Sequence, residues 1–207
     1  MNPLIQCKPT ILPVLIAGVL ACFGLLPKAE AVVPPPDGGY PGGNTAEGQA
    51  ALLSLTTGGF NTAVGWLSLR SDTTSSFNTA IGAGTLLANT GDANTATGAG
   101  ALLSNTTGDS NTANGAFALF TNATGFQNTA TGYQALFFNN SVGGSTGSKN
   151  SAFGSYALFS NTSGFANSAF GWYALFADTD GSFNTAVGAG ALDLNNGTVR
   201  SVDVRRR

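Results

Sequence analysis

Asp178 and Asp180 are the residues in this chain whose type and spacing come nearest to a catalytic pair. Two neighbouring carboxylates can divide the work of general acid and general base, as in the cleavage of glycosidic bonds. Nothing else converges on them. The chain has no histidine, and both cysteines, Cys7 and Cys22, lie before residue 31. Imidazole proton transfer and thiolate attack are thus ruled out for everything after that point. The triplets Gly82-Ala83-Gly84, Gly98-Ala99-Gly100 and Gly188-Ala189-Gly190 lack the third glycine of a dinucleotide-binding loop. No Gly-Gly-x-Gly-x-Asp nonapeptide occurs to hold calcium. The sequence therefore nominates no catalytic, cofactor-binding or metal-ligating residue, and no enzyme activity is expected.

Those glycine triplets belong to a larger pattern. The phrase Asn-Thr/Ser-Ala-x-Gly-x-x-x-Leu opens at Asn44, Asn61, Asn78, Asn94, Asn111, Asn128, Asn150, Asn167 and Asn184, in steps of 17, 17, 16, 17, 17, 22, 17 and 17 residues. Numbered from its Asn, every copy has Ala at position 3, Gly at position 5 and Leu at position 9. Ala96, Gly98 and Leu102 show this, as do Ala113, Gly115 and Leu119, and Ala152, Gly154 and Leu158. An unvarying Ala marks a place where only a methyl fits, and an unvarying Leu marks a filled core site. An unvarying Gly marks positive φ or close backbone approach.

A unit this short cannot fold alone, so each copy must be one layer stacked on its neighbours. Helices are excluded, because apolar residues do not recur at three and four and each copy carries several breakers. The pattern predicts an all-β parallel β-solenoid of about nine 17-residue coils, each with two or three strands of about four to five residues. Stacked at ~4.8 Å, nine layers make a rod on the order of 40 Å. Asn or Asp recurs at position 12 in eight copies, from Asp72 to Asn195. It serves either as a turn former or as a hydrogen-bonded amide ladder. The 22-residue step and the single deletion at Asn89-Thr90-Gly91 both fall in the polar corner, where solenoids take insertions. Large apolar residues crowd positions 6, 7 and 10, among them Trp66, Phe117, Phe120, Tyr133, Phe137, Tyr156, Phe159, Trp172, Tyr173 and Phe176. Either they fill the coil interior or they are buried by side-by-side association of several chains.

Outside the repeats the chain reads differently. The apolar run 11–26, followed by Ala29-Glu30-Ala31, has the layout of a signal peptide cleaved after Ala31, with lipidation of Cys22 as the alternative. The organisation expected is a signal peptide over 1–31, a Pro/Gly-rich linker over 32–43, the repeat domain over 44–196 and a basic tail over 197–207. No membrane span is expected in the mature chain. Across the repeats, seven acids outnumber Arg70 and Lys149, which argues against a nucleic-acid partner.

The stretches 94–108, 111–125 and 150–164, with their Asn-Thr-Ala-x-Gly-x-x-Ala-Leu-x-x-Asn-Thr-Thr-Gly phrasing, resemble the head repeats of trimeric autotransporter adhesins, the YadA-like head. They also resemble related repeats of long bacteriophage tail-fibre proteins. The resemblance implies a left-handed parallel β-roll, a homotrimer, display at a cell surface or secretion, and attachment to a host surface, matrix or glycan. It differs from those families after Leu194, where neither a coiled-coil stalk nor a β-barrel anchor follows. A tail-fibre-like shaft fragment is one alternative. An ice- or crystal-surface-binding solenoid, reading through the position 2 threonines, is another. Individual ligand-binding residues are not assigned; the outward Thr rows and the insertion at 139–149 are the regions nominated.

Overall fold

The computed structural model describes residues 40–139, 146–195 and 201–205. The expected signal peptide, the lipidation alternative at Cys22 and residues 32–39 of the linker lie outside them. Ten short strands form one parallel sheet in chain order: β1 (Thr45–Glu47), β2 (Thr62–Val64), β3 (Thr79–Ile81), β4 (Thr95–Thr97), β5 (Thr112–Asn114), β6 (Thr129–Thr131), β7 (Ser151–Phe153), β8 (Ser168–Phe170), β9 (Thr185–Val187) and β10 (Val202–Val204). Each pairs only with the strands before and after it, in a register that sets Ala46 against Ala63, Ala63 against Ala80, and so on to Ala186. The protein is a β-solenoid. The deletion and the 22-residue step leave this register intact: Thr79 faces Thr95, and Thr129 faces Ser151.

Each coil contains one three-residue strand rather than two or three longer ones, and backbone conformation is the reason. The residue before each Asn sits at positive φ, as in Phe60 at 59°, Ser110 at 58° and Gln127 at 56°. Gly at position 5 follows the strand at φ between 120° and 143°. Position 7 and position 9 are left-handed again, so no second extended run can form between them. Position 9 is the costly one, because all nine leucines lie at φ 48° to 52°. A left-handed L-residue costs roughly 1–2 kcal/mol. Full burial of a leucine side chain contributes about 1.5–3 kcal/mol, enough to cover that cost. Leu69, Leu86, Leu102, Leu119, Leu136, Leu158 and Leu175 are wholly buried. Their N–H groups also bond the next coil, Leu102 to the Ala118 carbonyl at 3.0 Å and Leu119 to that of Ala135 at 3.0 Å.

The core is narrow. It consists of the Ala column at position 3, the Leu column at position 9 and a third buried column at position 8, formed by Ala51, Ser68, Thr85, Ala101, Ala118, Ala135, Ala157, Ala174 and Ala191. A wall of buried asparagines completes it. At position 1 each Asn ties two rungs together: Asn111 Oδ1 accepts from the Asn128 backbone N–H at 3.0 Å, and Asn111 Nδ2 donates to the Gly125 carbonyl at 2.8 Å. The same pair of bonds joins Asn128 to Asn150 and Gly147 across the 22-residue step.

Two substitutions separate backbone from packing. A Cβ on Gly115, at φ 141°, would lie 2.5 Å from the Gly132 carbonyl oxygen. Gly115→Ala should therefore lower stability by about 2 kcal/mol or more, combining left-handed strain with the clash. Leu119→Ala should cost about 3 kcal/mol through the cavity it leaves. Thermal melts followed by circular dichroism check both, with Thr112→Ala on the outer face as the near-neutral control.

Candidate functional site

The surfaces available for recognition follow from which positions the coil turns outward. On the sheet, Ala at position 3 points in, so positions 2 and 4 point out. Position 2 forms a rank of Thr and Ser spaced one rung apart. Position 4 is mixed, and Val64, Ile81, Phe153, Phe170 and Val187 are exposed there. Phe153 and Phe170 stack at 5.1 Å with an interplanar angle of 5°. Among the described strands, Thr stands at both outward positions only in β4 and β6.

A second surface lies beyond the Gly corner, at positions 6, 7 and 10. The rings expected there do not fill the coil interior. Column 10 runs Leu87, Leu103, Phe120, Phe137, Phe159 and Phe176, all half-buried. Its four phenylalanines stack in sequence at 5.0, 5.4 and 5.2 Å, with interplanar angles of 4°, 18° and 10°. Column 7 packs beside it: Phe117 meets Phe120 edge-on at 5.7 Å, and Tyr173 stacks on Phe176 at 4.5 Å. Tyr133 and Trp172 at position 6 rise above both, 43 % and 58 % exposed. Ring stacking turns much of each phenylalanine face toward its neighbour along the rod, which leaves edges for a partner surface. Such geometry suits packing against apolar protein more than stacking on sugar rings.

The acidic residues go elsewhere. Asp92 and Asp109 sit in the polar corner, where Asp92 Oδ1 accepts from Ser76 N–H at 2.7 Å and Asp109 Oδ1 from Asp92 N–H at 2.8 Å. Asp178 is wholly buried while Asp180 is exposed, so the two do not face a common substrate. Asp178 occupies position 12, and position 12 is a true amide ladder. Nδ2 of Asn105, Asn122, Asn139 and Asn161 donates to Oδ1 of Asn89, Asn105, Asn122 and Asn139 at 2.7, 2.8, 2.7 and 2.7 Å. The next rung offers a carboxyl in place of an amide, and Asn161 Oδ1 is left buried with no hydrogen-bond partner. Burial pushes the Asp178 carboxyl above its ordinary range, against bonds from Gly181 N–H at 3.0 Å and Asn184 Nδ2 at 2.9 Å; nearby Asp180 pushes it further up. Asp72, at the other end of the ladder, is buried and raised for the same reason, with Ser75 pulling down through its N–H and hydroxyl.

The residues nominated for the repeat are all placed together in the structural columns: Ala96, Ala113 and Ala152 in the sheet, Gly98, Gly115 and Gly154 at the corner, and Leu102, Leu119 and Leu158 in the core. None of the three leucines or three alanines reaches solvent. Of the insertion, residues 140–145 lie outside the description; Lys149 stands 5.9 Å over the Phe126 ring. Among the described residues no cluster of His, Cys, Asp or Glu could hold a metal, and no helix is long and apolar enough to cross a membrane. No family model, curated protein or solved structure matches this chain.

Asp178→Asn should extend the ladder from Asn161 through residue 178 and stabilise the fold by about 1 kcal/mol at neutral pH, read as a higher urea midpoint. The pH dependence has a definite sign. A carboxyl raised in the folded state favours folding below its unfolded pKa, near 3.8. That contribution is lost as pH climbs through the raised folded value. The double variant Asp72→Asn/Asp178→Asn should flatten this fall in urea-midpoint series across acid to neutral pH.

Proposed function

We propose that this chain is a secreted or cell-surface adhesin-like repeat protein that works without catalysis, as a homotrimer of parallel rods presenting a multivalent surface to a host surface, matrix or glycan. One observation carries the reading: a rod of ten in-register rungs bears apolar side chains on two separate faces, exposed Val64, Ile81, Phe153, Phe170 and Val187 at position 4 on the sheet and half-buried rings at positions 7 and 10 beyond the Gly corner. Soluble monomers avoid contiguous apolar surface on this scale. A two-fold dimer pairs one patch with itself, whereas a cyclic trimer sets one patch of each chain against a different patch of the next and so uses both. The remaining outward ranks then repeat the same side chains at about 4.8 Å intervals. A repetitive ligand meets such ranks by many weak contacts that add through avidity. The resemblance to YadA-like heads supports the same assignment, and the uneven position 4 column weighs against ice binding.

Light scattering on the chain from residue 32 onward tests the assembly, with three times the chain mass expected and a stable monomer overturning it. Replacing Phe137 and Phe159 together by Ser should shift the species toward monomer by at least tenfold in dissociation constant, while the circular dichroism of the coil persists. Binding to immobilised matrix fibres should weaken in step with that dissociation.

A further inference from the structure

The tenth rung breaks the repeat at three columns at once. Ser201, Asp203 and Arg205 stand at positions 1, 3 and 5, where the nine rungs before them carry Asn, Ala and Gly. β10 nevertheless pairs in register with β9, Asp203 against Ala186 and Val204 against Val187. Ser201 N–H donates to Asn184 Oδ1 at 2.9 Å, and Arg205 N–H donates to the Val187 carbonyl at 2.8 Å. Rung ten thus continues the strand pairing of rung nine.

What it offers onward is different. A serine has no amide oxygen to reach the backbone N–H of a following rung, the bond that links every earlier pair. Asp203 sets a carboxylate in a column otherwise filled by methyl groups. That carboxylate is tied down: Oδ2 accepts from Leu192 N–H at 3.3 Å and from Arg205 Nε at 3.0 Å, and Arg205 Nη2 lies 3.6 Å from Asp193 Oδ1. Arg205 also puts a side chain into the glycine column. Along that column a Cβ on any glycine from Gly48 to Gly188 would come within 2.4 to 2.8 Å of the next rung's backbone. Arg205 instead folds its guanidinium back onto Asp203 and onto Asp193 of rung nine, which fixes the Asp203 carboxylate at the open edge. Val202 and Val204, 75 % and 55 % exposed, make this edge apolar, and an apolar parallel edge without protection is a template for adding another chain.

We infer that rung ten is a stop, built from Asp203 and Arg205, that bars a second copy of this chain from adding its β1 edge to β10. A buried-facing charge at a sheet edge is a physical means to that end. The inference concerns growth along the rod and is independent of the lateral contacts proposed above: failure of the trimer changes particle mass at constant length, whereas failure of the stop changes length.

The test compares the wild-type chain with Ser201→Asn/Asp203→Ala/Arg205→Gly, which restores the repeat residue in each column. Particle length is measured by negative-stain electron microscopy and sedimentation velocity over a concentration series, with circular dichroism as the fold control. One copy spans about 43 Å along its ten rungs. The wild type should hold one length at all concentrations, and the triple variant should at least double its length and grow with concentration. A folded triple variant of unchanged length overturns the inference, as does a wild type that elongates by itself. If the triple variant loses its β signal, Asp203→Ala alone decides: lengthening supports the stop and constant length overturns it.

Discussion

A ring of seventeen residues closes here only because each turn of the chain passes through positive φ four times, before the Asn and at positions 5, 7 and 9. Everything else is subordinate to that constraint. It limits the sheet to three-residue strands, too short to hold together alone. It aims one leucine per rung at the axis, and it brings the backbone of successive glycines so close that no Cβ fits between them. The strain is tolerable because the same bends deliver a dry column of leucines and backbone hydrogen bonds from rung to rung. Neither half would persist without the other: left-handed leucines in water would relax, and extended ones would miss the core.

The asparagines solve the problem that a thin core creates. An interior of Ala, Leu and a few hydroxyls offers modest hydrophobic area per rung. Much of the wall must then be polar and buried, and buried polar groups are tolerated only when their bonds are made. Column 1 satisfies backbone donors and acceptors of two rungs at a time. Column 12 satisfies itself, amide to amide, from Asn89 to Asn161. Where it is Asp the chain of bonds stops, and the orphaned Asn161 Oδ1 marks the break.

Much of this was legible in the sequence, and the exceptions are instructive. Period, register, the Ala and Leu columns and the special backbone at position 5 all follow from residues that never vary, because a single side chain or none is sterically allowed there. The buried amide ladder was one of two open readings, since asparagine suits turns and ladders alike. The left-handed leucines were not foreseen. Leucine carries no signature of that conformation, and burial alone explains its invariance. Position 7 did hold a clue: Gly84, Gly100 and Gly190 occur there, at φ 61° to 65°, among copies bearing Phe117 or Tyr156. β10 escapes the sequence reading because residues 201–205 carry none of the invariant Asn, Ala and Gly of the repeat and the segment 197–207 reads as a basic tail. Backbone pairing needs no particular side chain, so its register was invisible in the letters. As to the outward columns, the sequence located the rings correctly but could not say whether they faced in or out.

The step from Asn128 to Asn150 carries five residues more than its neighbours, yet the strands on either side meet as if nothing had been added. Scaffold and corner are thus mechanically uncoupled. Text can be spliced into one margin of the molecule, at any chosen height, without disturbing the lines above and below. A lineage carrying this architecture can revise what it shows to the outside world while leaving the beam that holds it untouched.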